Sequence, residues 1–166
     1  MNESNQNESS QGAGCLIMAL LGVGAIGCLF LVAPSLLNSS TKAKQSEAKQ
    51  YMGSMNRAQQ AYFLDNKEPE EKGKFAKEFG KLELGIPTET EYYQYLLRAT
   101  DSASFHYAIS KDKELKGFAG AVFMVETASS GTLAILCETA EPGQIIPAEP
   151  QMENGVPTCG TGTEKL

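Results

Sequence analysis

The sequence has little of what enzymes and metalloproteins use. Its 166 residues include a single histidine, His106, and no group of cysteines and histidines with the spacing of a zinc site. Gly117 and Gly120 do not belong to a phosphate-binding loop. Glu89 and Glu91 could chelate a metal ion, but a solvated run of charges is the simpler interpretation. No residue is left to carry a catalytic mechanism, so the sequence predicts neither an enzyme nor a cofactor.

Clustered basic residues are also missing. The net charge is −6 and the isoelectric point is near 4.9. No stretch carries the concentrated Lys and Arg that contacts with phosphates need, so the sequence gives no indication of nucleic acid binding. There are no internal repeats, and the length suits one modest domain plus an anchor.

One long stretch lacks charge altogether. Residues Cys15–Leu37 form an apolar run whose helix would be about 34 Å long, enough to cross a bilayer core of roughly 30 Å. We therefore predict a transmembrane helix over residues 15–37, kinked at Pro34, after a polar leader-like segment over residues 1–14. A buried core helix is disfavoured because a domain this small cannot surround it.

Cleaved signals fit this run poorly. A secretory signal peptide is disfavoured because residues 1–14 contain no Lys or Arg and the apolar run is too long. A lipoprotein signal is disfavoured because Cys15 precedes the run instead of following it. The run is therefore predicted to remain as a membrane anchor.

The charges and the cysteines indicate opposite orientations of that anchor. Acidic residues precede the run and three lysines follow it, and the positive-inside rule would then place the C-terminal domain in the cytoplasm. Cys137 and Cys159, the two cysteines outside the run, instead suit a disulfide in an oxidising compartment. We predict this disulfide and an extracytoplasmic domain, with two free buried thiols as the alternative. The bridge would stabilise a proline-rich tail and hold an exposed loop for contacts with other subunits or surfaces.

Helical periodicity continues beyond the apolar run. Apolar residues recur at helical spacing over residues 38–66, and Pro69 disfavours a helix beyond this range. We predict one long helix, whose first half lies in the membrane and whose second half packs an apolar stripe on a sheet. The stripe comprises Ala48, Tyr51, Met52, Met55, Ala58 and Tyr62, and the polar residues between them include Lys49, Asn56, Arg57 and Gln60.

Residues 67–166 are predicted to form a globular β domain, which makes the fold class α+β. Residues 67–90 are expected to be irregular, with one helical turn near 74–80. Their apolar anchors are Phe75, Phe79, Leu82, Leu84 and Ile86. Three to four antiparallel strands are predicted from composition and alternation, at Tyr92–Ala99, Ser104–Ser110, Phe118–Glu126 and Thr132–Glu138.

Two side-chain predictions follow from this strand pattern. Phe105, Tyr107 and Ile109 share one face of the second strand, so His106 is expected to face solvent. After Cys137 the chain is rich in proline, and this tail is expected to be loop.

The order of features is a Gly, an apolar helix, a Pro about two dozen residues in, an amphipathic helix, a four-stranded domain and a late disulfide. This order resembles type IV pilins and pseudopilins. The soluble part is most similar to the cyanobacterial type IV pilin-like G and H group, over nearly everything from Pro34 to the end. The segments that carry the resemblance are Ala33–Asn38, Lys42–Lys49, Gly53–Phe63, Leu84–Glu91, Ala134–Glu138 and Asn154–Gly160.

The resemblance implies a pilin fold and a non-enzymatic function. It implies a minor subunit of a pilus or secretion pseudopilus, stored in the plasma membrane with its domain outside the cytoplasm and exposed at the cell surface after assembly. The implied partners are membrane lipid, other pilin-like subunits and the pilus or secretion machinery, engaged through the N-terminal helix.

The N-terminus departs from the family pattern. The resemblance implies a leader cut after a glycine, here Gly12, so that a processed and methylated chain begins at Ala13. Ile17 then stands where such pilins have Glu, and the leader is acidic where theirs is basic. These departures leave open a second interpretation, a permanently anchored binding or scaffold protein that does not join filaments.

Overall fold

The protein packs a long helix on an antiparallel sheet. The computed structural model describes residues 40–65, 70–125 and 131–166. The predictions for the leader, the transmembrane helix, the kink at Pro34 and the cleavage at Gly12 and Ala13 lie outside these residues. Helix α1 spans residues 40–65, as the periodicity predicts. Residues Thr41–Leu166 form one compact unit.

Seven strands follow α1 in the described residues. They are β1 (Tyr93–Ala99), β2 (Ala103–Ser110), β3 (Phe118–Val125), β4 (Gly131–Thr139), β5 (Gln151–Glu153), β6 (Val156–Thr158) and β7 (Thr163–Lys165). The main sheet has the order β1-β2-β3-β4-β7 with antiparallel neighbours, and β5 and β6 form a separate hairpin. The first four strands agree with the predicted ones to within one residue.

The tail after Cys137 is not all loop, so that prediction was wrong. It contains the β5–β6 hairpin and β7, which pairs with the end of β4 and adds a fifth strand to the sheet. Strands of three residues, one of them containing Pro157, are too short to show an alternating pattern. Their pairing depends on contacts that are distant in sequence.

Helix α1 buries one face on the sheet. Ala48, Met52 and Met55 have no exposed surface and follow the helical period. They pack on β1, β2 and β3 through Tyr93, Tyr95, Ala108 and Phe118. Asn56 is also on the buried side of α1, although the sequence pattern placed it among the polar residues outside the apolar stripe.

The opposite face of the sheet is buried too. Side chains alternate between the faces of a strand, and the residues that point away from α1 form a second cluster. Its members are Ala103, Phe105, Tyr107, Ala119, Ala121, Phe123, Ile135 and Cys137, and Met152 and Cys159 pack against them. The sheet therefore lies between α1 and the C-terminal residues, which explains why β2 and β3 are buried at almost every position.

The described region between α1 and β1, residues 70–92, is largely irregular, as predicted. Its helical turn is a 3₁₀ turn at Phe79–Leu82, slightly later than the predicted 74–80. Phe75 packs on Phe63 of α1 with ring centroids 4.8 Å apart. The amide of Gln59 donates to the carbonyl of Ala76 at 2.9 Å and accepts from its N–H at 3.0 Å, which fixes this region to the helix.

Candidate functional site

The disulfide between Cys137 and Cys159 is formed, which confirms the predicted pairing and excludes the alternative of two free thiols. The Cα atoms are 5.8 Å apart and the sequence separation is 22 residues. Cys137 is fully buried on β4, and Cys159 follows β6 directly. The bridge therefore fixes residues 138–158, the disulfide-closed segment, against the face of the sheet opposite α1.

A second clamp holds this segment through a carboxylate. Glu149 forms an ion pair with Arg98 of β1 and accepts a hydrogen bond from the hydroxyl of Tyr107 on β2. Arg98 also lies 4.5 Å from the ring centroid of Phe105. Burial and the hydrogen bond to Glu149 raise the pKa of Tyr107 above its ordinary value, so the hydroxyl remains a donor.

Two glycines allow the disulfide-closed segment to pack closely on its neighbours. A Cβ atom at Gly117 would lie 2.8 Å from Cγ of Pro147, and one at Gly160 would lie 2.6 Å from the carbonyl oxygen of Glu149. Both distances are shorter than van der Waals contact. The glycines therefore have a packing function, which accounts for Gly117 without any phosphate-binding loop.

The surface of the segment presents apolar side chains on a fixed backbone. The N–H of Gly143 donates to the carbonyl of Leu115 at 3.0 Å, which holds the first part of the segment against the β2–β3 turn. Ile145, Ile146 and Val156 are 57%, 67% and 58% exposed. Fixed, exposed apolar groups suit contact with another molecule better than catalysis.

His106 is fully buried, so the prediction that it faces solvent was wrong. It lies on the face of β2 that α1 covers, and its Nε2 is 2.5 Å from Oδ1 of Asn56. The Nδ2 of Asn56 donates to the carbonyl of Ile135 at 2.9 Å, so Oδ1 is the acceptor and Nε2 of His106 carries the proton. Burial lowers the pKa of His106 to about 3, which keeps the ring neutral.

The His106–Asn56 pair joins α1 to the middle of the sheet and has no access to a substrate. Gly120 of β3 lies opposite His106, and a Cβ atom there would be 2.8 Å from Cδ2 of His106 and 2.9 Å from Oδ1 of Asn56. The pair therefore needs a glycine at this position. Nδ1 of His106 has no hydrogen-bond partner among the described residues.

Charged residues fasten the first half of α1 and the β2–β3 turn to the end of β4. Burial raises the pKa of Glu138, but hydrogen bonds from Lys49 and Lys116 outweigh it and the pKa is lowered. The N–O distances are 2.8 Å to Lys49 and 3.1 Å to Lys116. Glu89, considered above as a metal ligand with Glu91, instead pairs with Lys111 at 2.7 Å.

Neither a metal centre nor a membrane span is present in the part of the chain that the structure describes. Over residues 40–65, 70–125 and 131–166, no three His, Cys, Asp or Glu side chains gather closely enough to hold a metal ion. Within the same ranges, no helix has the length and apolar character needed to cross a bilayer.

Sequence reasoning missed two buried polar residues of this architecture, Asn56 and Gln59. Gln59 follows Met52 and Met55 and precedes Phe63 at steps of three and four residues, so it continues the apolar stripe. Asn56 lies one turn after Met52 on the same side. Their positions along the helix indicated burial, but their side chains are polar, so the apolar pattern did not include them.

Comparison with known proteins identifies the family. A family model for type IV pilin-like G and H proteins matches residues 45–160. The chain belongs to the type IV pilin-like G and H family. No curated protein and no solved structure shows a significant match to the chain.

The family match covers the architecture of this pilin-like protein from α1 to the disulfide. It includes strands β1–β6 and both bridged cysteines, and it ends at Gly160, before β7. The resemblance predicted from Pro34 onward is therefore shown over a narrower range. Membership makes the chain a pilin-like subunit in the general sense, and it implies assembly with other pilin subunits or with pilus machinery.

Proposed function

We propose that this pilin-like protein is a non-enzymatic, minor subunit of a type IV pilus or secretion pseudopilus. The family match over residues 45–160 carries the proposal. In this proposal the apolar run over residues 15–37 anchors the chain in the plasma membrane before assembly and contacts neighbouring subunits afterwards. The uncharged sequence of the run and its direct continuation into α1 support this function.

The disulfide supports a domain outside the cytoplasm. Cytosolic thiols are kept reduced, whereas bridges such as Cys137–Cys159 persist in oxidising compartments. We expect mass mapping of protein alkylated in intact cells, without reduction, to recover the linked pair. Free, alkylated thiols at both positions would contradict this localisation.

Ile17 favours a second candidate function. A Glu within the membrane is costly and would be retained to pair with a neighbouring subunit's amino terminus, and Ile17 offers no such partner. A permanently anchored binding or scaffold protein with the pilin fold needs neither the Glu nor a cleaved leader. The two candidate functions therefore predict different N-termini: a processed one for the filament subunit and an unprocessed one for the anchored scaffold.

The deciding experiment is N-terminal sequencing and intact mass of the chain from membranes and from sheared surface filaments. A filament subunit is expected to begin at Ala13 and to occur in the filament fraction. Gly12→Val should block processing, whereas the matched variant Gly14→Ala should leave it intact. A chain that retains Met1 and is absent from the filaments would exclude the pilus subunit and favour the scaffold.

A further inference from the structure

Ile145 and Ile146 form an exposed apolar pair whose position in the unit suggests its partner. Ile146, at 67%, is the most exposed large hydrophobic residue in the described part of the chain. The preceding backbone is bonded to Leu115 through Gly143, and the following Pro147 is buried. The pair is therefore presented rigidly to its surroundings.

A series of contacts places this pair at the end of the unit where α1 first meets the sheet, which we call the proximal end. Nζ of Lys44 on α1 lies 4.0 Å from the ring centroid of Tyr92. The carbonyl of Tyr92 accepts from the N–H of Lys111 at 2.9 Å. The carbonyl of Lys111 in turn accepts from the side chain of Gln144, the residue before Ile145.

The chain outside the described residues reaches the unit at this same end. Only residues 38–40 separate the apolar run Cys15–Leu37 from Thr41, and three extended residues reach at most about 11 Å. Leu64, at the other end of α1, is about 35 Å from Thr41 along the helix axis. Measured along the chain, a bilayer that contains the apolar run is therefore much closer to the proximal end of the unit than to its opposite end.

We propose that the proximal end rests on the surface of the lipid bilayer, with Ile145 and Ile146 inserted at the boundary between headgroups and acyl chains. The inference rests on the membrane anchoring proposed above. Tyr92 and Lys44 fit this location, because tyrosine rings and long lysine side chains are typical of membrane interfaces. The bilayer removes from water two of the apolar side chains that the fold leaves exposed.

The charges at the proximal end indicate how the contact is made. In the turn Lys111–Lys116 three lysines are interspersed with Asp112 and Glu114, so the turn has little net charge to attract anionic headgroups. Apolar insertion therefore provides the contact. We expect it to persist in vesicles of neutral phosphatidylcholine and to change little with salt.

The test uses the full chain, reconstituted in vesicles of phosphatidylcholine, with a photo-crosslinking benzophenone amino acid at position 146. A matched probe replaces Leu64, which is 47% exposed at the distal end of α1. Flotation of the vesicles is measured for both proteins, and adducts are identified by mass spectrometry. An insertion depth of several ångströms predicts roughly tenfold more lipid adduct at position 146 than at position 64.

Each other outcome overturns the inference in a distinguishable way. A protein that floats with the vesicles but gives no lipid adduct at position 146 retains the anchor and disproves the insertion. Crosslinks from position 146 to a second copy of the chain in the vesicles identify a subunit contact instead. A protein that fails to float disproves the proposed anchoring together with this inference.

A second variant tests the isoleucines themselves. In this variant the probe is moved to the exposed Gln144. The change Ile145→Ser/Ile146→Ser is expected to lower the lipid adduct yield about tenfold, because polar groups replace two isoleucines that insert into the bilayer. Both side chains are exposed, so the variant should keep the wild-type unfolding midpoint. An unchanged adduct yield would show that the isoleucines do not hold this end at the membrane.

Discussion

Two buried amides of α1, those of Asn56 and Gln59, make polar contacts that position the helix on its neighbours. Gln59 is fully buried and satisfies both backbone groups of Ala76. Asn56 bonds to the carbonyl of Ile135 and to His106. Buried polar groups are costly without partners, so each amide specifies one placement of the helix.

Replacing Gln59 should therefore cost far more than replacing its neighbour. Gln59→Ala leaves the N–H and carbonyl of Ala76 without partners and should lower the free energy of unfolding by about 2–4 kcal/mol. Gln60→Ala removes one 3.2 Å contact to Thr132 at a partly exposed site and should cost less than about 1 kcal/mol. Urea denaturation of the full chain in detergent measures both, and equal losses would contradict this function of Gln59.

His106 makes stability depend on pH. Its pKa is 6.5 in the unfolded chain and about 3 in the folded protein, because burial disfavours the charged ring. Between these values only the unfolded chain binds the proton. The free energy of unfolding carries no penalty from His106 above pH 6.5. Below this pH it decreases as the pH falls, by up to about 1.4 kcal/mol per pH unit.

The variant His106→Gln removes this proton uptake while keeping a donor near Asn56. The variant is expected to be less stable than the wild type at pH 7, and the difference should shrink at pH 6 and again at pH 5. Titration of the carboxylates is common to both proteins and cancels in the difference. A gap in unfolding free energy that stays constant from pH 7 to pH 5 would refute the assignment.

Two glycines are expected to respond in opposite directions to the same substitution. Gly120→Ala brings a Cβ atom to within 2.8 Å of His106 and should destabilise the protein by about 1–3 kcal/mol. Gly53 lies inside α1, and the nearest contact of its Cβ atom would be Nη1 of Arg57 at 3.5 Å. Gly53→Ala should therefore stabilise by about 0.5–1 kcal/mol. Thermal unfolding of the two variants would disprove the packing argument if both shifted the midpoint alike.

At the scale of the elements, the strands of the central sheet were predictable and the burial of one residue was not. Strands β1 to β4 are rich in aromatic and aliphatic residues and are bounded by turn residues, so their limits followed from local pattern. The position of His106 was mistaken because an alternating strand was taken to have one wet face. Helix α1 covers that face, which contains His106, and the C-terminal residues cover the opposite face, which contains Phe105 and Tyr107.

The disulfide-closed segment was predictable in part. Cys137 and Cys159 were the cysteines left once the apolar run was set aside, and the bridge followed from that. The clamp of Glu149 on Arg98 and Tyr107 joins residues 51 and 42 positions apart, and no local pattern indicates such contacts. The same holds for Ile145 and Ile146, whose exposure depends on how the whole segment folds back.

The disulfide should contribute more than the ionic clamp to holding the segment. Cys137→Ser/Cys159→Ser opens a loop of some twenty residues and should lower the free energy of unfolding by about 3 kcal/mol. The Arg98–Glu149 pair is partly exposed and is worth at most about 1 kcal/mol. Denaturation with and without dithiothreitol tests this, with the double variant as the control that reductant should not affect. An unchanged midpoint of the reduced wild type would contradict it.

On the scale of the whole molecule, the sheet is shared between two cores. The helix side contains Met52, Met55 and Phe118, and the opposite side contains Phe105 and Phe123. The family match spans both cores, since it extends from residue 45 within α1 to Gly160, just after Cys159. The C-terminal residues are therefore part of the fold itself, and not an appendage to a helix-and-sheet unit.

The way in which α1 lies on the sheet also determines how the unit responds to mechanical force. Its buried contacts extend from Ala48 to Phe63, about 22 Å along the helix axis. A pull on the N-terminal end of α1 acts along this axis and loads the contacts in shear, so that Asn56 and Gln59 bear tension together with the apolar residues. The unit is built to transmit a pull through the helix into all four central strands at once.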